Sequence, residues 1–133
     1  MPDFTRPMLE WHNWKDDYQP IYPLPDKREM YSLDSCLAPF IAERLKFFRN
    51  YVATDFPCYP CSLESMEEWL TILDKMIYAF ENHDENWMFE DENYNRLKQH
   101  PASLFNHPEV QAWRDKCDEG RRLFAEWFTA LWT

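Results

Sequence analysis

A chain of 133 residues, 45% hydrophobic and 18% aromatic, is long and apolar enough for one domain with a real core, without disulfides or metal. A single glycine, Gly120, supplies too little positive-φ backbone for hairpins or phosphate-cradling loops, which disfavours all-β, Rossmann and P-loop architectures together. The formal net charge of −10 argues against general nucleic-acid binding and against adsorption on an anionic membrane, both of which need clustered Lys and Arg.

Residues 1 to 31 hold Pro2, Pro7, Pro20, Pro23 and Pro25 among Trp11, Trp14, Tyr18, Ile21 and Tyr22. Proline fixes φ and removes an N–H donor, so the segment reads as an extended or irregular arm, with rings enough to pack on the body or reach a second copy in a homo-oligomer. A helix is predicted from Ser32 as N-cap, with Asp34 beside the positive end of the dipole. Its apolar stripe runs through Leu33, Leu37, Ile41, Leu45, Phe48 and Val52, and a second stripe through Cys36, Phe40, Phe47 and Tyr51. Two apolar faces mark it as the central helix, kinked at Pro39.

The prolines of Thr54 to Cys61 break the chain, and Ser65 with Glu68 three residues on forms a capping box for a second helix. Met66, Trp69, Leu70, Leu73, Met76, Ile77 and Phe80 are its stripe. Glu81 to Glu92 carries six acids and no Lys or Arg, which reads as a solvated loop rather than a calcium loop, followed by a short turn of helix at Tyr94 to Gln99. A last helix opens at Asn106 or His107 with Pro108 in its first turn, and presents Val110, Trp113, Cys117, Phe124, Trp127, Phe128 and Leu131. Gly120 in its middle implies either a close neighbour or a bend. The expected fold is therefore all-α: a small helical bundle of three long helices over residues 32–133, with the arm of residues 1–31 packed on it in a single domain.

Chemistry leaves few marks. Cys58-Tyr59-Pro60-Cys61 ahead of a helix has redox-pair spacing, and the same two thiols are the weak candidates for a metal site; neither a βαβ frame nor a second ligand pair accompanies them, so an incidental role is the plainer reading. His12, His83, His100 and His107 stand in no metal motif, and His100 and His107, each before a proline, read as turn residues. No nucleophile signature and no cofactor motif is present, and the chain reads as a non-enzyme. Against the acidic background, Arg28, Arg44, Lys46, Arg121 and Arg122, with Trp11 and Trp14, are candidates for a pocket holding a small nucleotide-like ligand, because rings stack on bases and Arg forks pair with phosphates. The plainer reading of the same cations is ordinary pairing on helix surfaces. The N-terminus shows no signal pattern, and no apolar run approaches the roughly 18 residues of a membrane span, so a soluble cytoplasmic protein is expected.

Three stretches resemble a group of small uncharacterised tailed-phage proteins: Ser32-Leu33-Asp34; Glu68-Trp69 through Ile72-Leu73, Lys75-Met76-Ile77 and Ala79-Phe80-Glu81; and Glu119-Gly120, Leu123-Phe124, Phe128 and Leu131-Trp132. The resemblance covers the three predicted helices and assigns no site residue. It implies a phage-type accessory protein, of an anti-defence kind, that binds and sequesters a component of the host cytoplasm. Two partners fit that role, a small anionic nucleotide signal, or a host defence protein met by an acidic inhibitor or nucleic-acid mimic; a metal or redox enzyme using Cys58 and Cys61 is the remaining alternative.

Overall fold

The computed structural model describes residues 27–99 and 104–132. The chain divides into two compact units, Met1–Tyr31 and Ser32–Thr133. Of the first, the described part belongs to a 3-10 helix, Lys27–Ser32; the rest of the predicted arm lies outside the described residues, with Trp11, Trp14 and His12 in it.

The second unit is all-α, but the expected three helices are four: α1 Leu33–Asn50, α2 Met66–Glu81, α3 Asp91–Lys98 and α4 Pro108–Trp127. The added helix is the short turn expected at Tyr94 to Gln99, grown at its start into the end of the acidic run, where Asp91 and Glu92 were read as loop. Charge repulsion is the wrong guide there, because Asp91 and Glu92 occupy the first turn and Arg96 and Lys98 the last, each sign at the dipole end that favours it. A 3-10 turn, Glu85–Phe89, leads in, with the Asp84 carboxylate accepting from the Asn86 amide. Packing then fixes the segment. Met88, Leu97 and Val110 are fully buried together, against Trp87, Leu104 and Trp113. Trp113 Nε1 donates to the Asn82 carbonyl at 2.8 Å, whereas the buried Nε1 of Trp87 has no acceptor among the described residues.

The centre of the bundle also differs from expectation. α2, not α1, packs against both other long helices. Its stripe of Trp69, Leu73, Met76 and Ile77 is buried, and Leu45 and Val52 of the first helix and its extension meet it from one side. Leu123, Phe124 and Trp127 of α4 pack against the same core. On α1 the buried side chains within the helix are Ala38, Ala42 and Leu45, while Leu33, Leu37 and Phe47, and Tyr51 just after it, stay exposed. Two apolar stripes did not make α1 central, because its small residues, which periodicity of large side chains overlooks, form the close contact face.

Local signals explain the ends. Ser65 Oγ accepts from the Glu68 amide at 3.2 Å, as the capping box requires, although the Glu68 carboxylate takes the amide of Glu64 instead of Ser65. His107 caps α4, its Nδ1 accepting from the Glu109 amide at 3.0 Å, ahead of Pro108. Ser32 stands at the N-cap of α1 but its hydroxyl makes no capping bond. α1 runs through Pro39 and continues into a π-helical turn, Tyr51–Asp55. Gly120 has a close neighbour: a Cβ there would overlap the Lys75 carbonyl oxygen and the Cβ of Ala79, so α2 and α4 approach along a line that only glycine permits.

Candidate functional site

The predicted basic site is dispersed, and carboxylates meet its cations. Lys46 pairs with Glu81, Arg121 with Asp118 at 2.6 Å, and Arg122 with Glu126 at 3.6 Å. Arg44 lies 3.4 Å from the ring centroid of Phe40 and 3.8 Å from Glu43. Arg49 is held in a two-pronged pair with Asp74, at 2.5 and 3.2 Å. Arg28 belongs to the first unit and Trp11 and Trp14 lie outside the described residues, so the arm's share of the predicted pocket is not part of the described geometry.

One of the basic residues, Lys46, does border a groove of about 450 Å³ between α1 and the end of α2. Lys46, Ser35, Phe80 and His83 line it, and Arg121, which is not in its lining, contacts His83. His83 Nε2 lies 2.7 Å from the Asp34 carboxylate and its Nδ1 3.4 Å from the Arg121 guanidinium. The ring thus stands between a carboxylate and a guanidinium, one at each nitrogen. The bond from His83 holds the Asp34 carboxyl below its ordinary value. Both ring nitrogens are occupied, and Glu43, Glu81 and Asp84 add negative charge to the same walls. The cluster ties α1, α2 and α4 together; it does not present a bare positive face to a phosphate.

A larger concavity than that groove stands elsewhere. A cleft of about 620 Å³ opens between the loop after the π turn and the C-terminal end of α4. Phe56 and Tyr59 line it from the loop, Trp127 and Trp132 from the other wall, and Trp69 from α2. The loop cannot be helical around Pro57 and Pro60, and the 3-10 turn Phe128–Ala130 ends the last helix, so neither segment has a helix neighbour to cover its rings. Trp69 is 1% exposed and tilts against Trp127 at 5.7 Å between centroids; Trp132 is 72% exposed. Glu126 is the one ionised side chain in the lining. Sequence reasoning missed this site: Trp127 counted as stripe, and Phe56 and Tyr59 as a break. The legible signal is aromatic residues placed in a Pro-rich break and past a helix end, where no regular face can bury them.

Cys58 and Cys61 sit in this cleft as free thiols, the first half-buried and the second exposed. Among the described residues no third side chain joins them in a metal-holding group. Cys117 is buried on α4, and burial pushes its thiol pKa up. No described helix is long and apolar enough to cross a membrane. No family model, curated protein or solved structure matches the chain.

Proposed function

We propose that this chain is a non-catalytic binding protein and that the aromatic cleft at the end of α4 is its site. The observation that carries the proposal is the set of partly exposed rings Phe56, Tyr59, Trp127 and Trp132 around one concavity of ligand size. Apolar side chains left on a surface forgo burial worth about 25 cal/mol per Å², and a concave aromatic wall recovers that energy when a partner fills it. The pairing of Lys46, Arg121 and Arg122 with carboxylates favours this cleft over the basic residues, because an anionic ligand would have to displace a carboxylate at each cation. Sequestration of a host component, the role suggested by the phage resemblance, needs a complementary cavity and no reacting groups.

The test is retention of a ligand from a cell extract, released by denaturation and identified by mass spectrometry. The expected result is an unchanged ligand that is lost in a Phe56→Ala, Trp132→Ala double variant and kept in Arg121→Glu. Loss in Arg121→Glu alone would instead support the nucleotide reading, and recovery of a chemically altered ligand would make the protein an enzyme.

A second reading, a protein partner, is favoured by the exposed Leu33, Leu37 and Phe47 of α1 with Tyr51 just after it, spaced as one helix face. With an acidic chain behind that face, the complex expected is one with a basic protein that weakens as salt is added, and Phe47→Glu should abolish it.

A further inference from the structure

From the exposed side of α1 we infer that two copies of this chain pair along that helix, antiparallel and about a two-fold axis. The cleft takes no part in the pairing, which uses the face that is also open to a basic protein. Leu33, Leu37, Phe40, Arg44, Phe47 and Tyr51 follow one another at spacings of four, three, four, three and four, the repeat by which one helix seats against another. All are apolar but Arg44, and Leu33, Leu37, Phe47 and Tyr51 are 42%, 46%, 76% and 37% exposed. The buried side chains Ala38, Ala42, Leu45 and Val52 keep the same repeat on the other side, where α1 and its extension join the bundle. A solvated helix face is ordinarily polar and needs no such register, so a second seam of large apolar groups calls for a second helix.

The seam fits a reversed copy of itself. Its spacing is symmetric about Ala42, so an antiparallel copy sets Leu33 against Tyr51, Leu37 against Phe47 and Phe40 against Arg44, each pair twice. The outer layers match an aliphatic side chain with a ring. The inner ones match a ring with a guanidinium, the contact Arg44 already makes with Phe40 of its own chain, 3.4 Å from the ring centroid. Charge selects the same direction. Glu43 flanks the seam 3.8 Å from Arg44, its side chain 84% exposed. Antiparallel copies gather two Arg44 and two Glu43 around the axis, equal in sign. Parallel copies would set Arg44 against Arg44 in one layer, like charges facing each other as water leaves. A basic partner fits less well, because the ionised group within the seam is itself a cation. A seam of roughly five turns is about 27 Å long, at the small end of specific interfaces, for which a dissociation constant on the order of 10 μM is expected.

Sedimentation equilibrium of the whole chain, from about 1 to about 200 μM, tests the pairing. The expected result is a monomer and dimer in equilibrium, shifting toward dimer as salt rises from about 0.05 to about 0.5 M, because each copy carries −10 and screening relieves their repulsion. A complex with a basic protein would respond to salt in the opposite sense. Leu37→Lys and Phe47→Glu should each weaken association about a hundredfold, with circular dichroism establishing that the helices remain. Should either variant unfold, Leu33→Ser and Tyr51→Ser at the ends of the seam replace them, each with an expected loss of about tenfold. Joining Leu37→Lys and Phe47→Glu in one chain tests the direction. Antiparallel copies then set Lys against Glu twice, and the double variant should associate at least about tenfold more tightly than either single one. Recovery in the double variant supports the two-fold antiparallel seam, since parallel copies would set like charges together and gain nothing. A chain that stays monomeric across the range at both salt concentrations overturns the inference, as does a dimer indifferent to the seam variants. A dimer that the single variants break and the double variant does not recover overturns it as well, by removing the antiparallel match. The cleft stands or falls separately, on the ligand retained by Phe47→Glu.

Discussion

Tryptophan meets two fates in this bundle. Trp69 stands at the seam where α2 packs on its neighbours, edge-on to Phe48 and tilted against Trp127, and is sealed from solvent. Trp132, beyond the last turn, is the same side chain left in water at the rim of the cleft. The seam has a helix on each side and a glycine that lets two of them touch. The cleft has a proline-broken loop on one side and the 3-10 turn Phe128–Ala130 with Trp132 after it on the other, neither of which repeats along an axis. Regular elements close apolar surface against each other, whereas irregular ones leave it open, and the open surface is where a partner gains most.

Substitutions sharpen that contrast. Leu73→Ala, in the sealed part, removes a fully buried side chain and should cost about 3 kcal/mol in denaturant unfolding, against a change within about 0.5 kcal/mol for Trp132→Ala. Comparable losses at the two positions would mean that the cleft is part of the core. Gly120→Ala tests the seam more closely. Alanine gains about 1 kcal/mol in helix preference, yet its methyl must push the Lys75 carbonyl and Ala79 apart, so a net loss of about 2 kcal/mol is expected in the same measurement. A stabilised variant would show that α2 and α4 do not meet there. Ser65→Ala removes the acceptor for the Glu68 amide and should lower stability by about 1 kcal/mol, with no effect on ligand binding in the cleft.

The smallest effect is in pH. Bonding to His83 lowers the Asp34 carboxyl from its ordinary value of 3.8, so the folded state binds that proton less readily than the unfolded one. The stability Asp34 contributes is therefore fully present above 3.8 and fades as the pH falls through its folded value. Asp34→Asn should flatten the acid limb of stability below pH 3.8 and leave the cleft unaffected. An unchanged acid limb would show that the Asp34 and His83 contact is absent in solution.

Much of the scaffold was readable residue by residue. Ser65 with Glu68, and His107 with Pro108, marked two helix starts because capping is local chemistry between neighbours. The stripe of α2 was readable for the same reason, since period and burial coincide there. α3 was read short, its first turn counted as loop. Its acids are repulsive in a list and favourable once a dipole and the Met88, Leu97 and Val110 cluster exist to receive them. The basic residues were readable as charges but not as a site, since whether Lys46 faces a ligand or Glu81 depends on a residue 35 positions away.

The sequence by itself determined the class of this protein: helical, acidic, rich in rings, with a break at Pro57 and Pro60. Those properties belong to neighbouring residues and to composition, which act at short range. Only the tertiary structure decided that α2 lies at the centre, that Gly120 is a contact and not a bend, and which rings stay uncovered. Those outcomes depend on which surfaces run out of neighbours, a quantity that exists only once distant segments have packed.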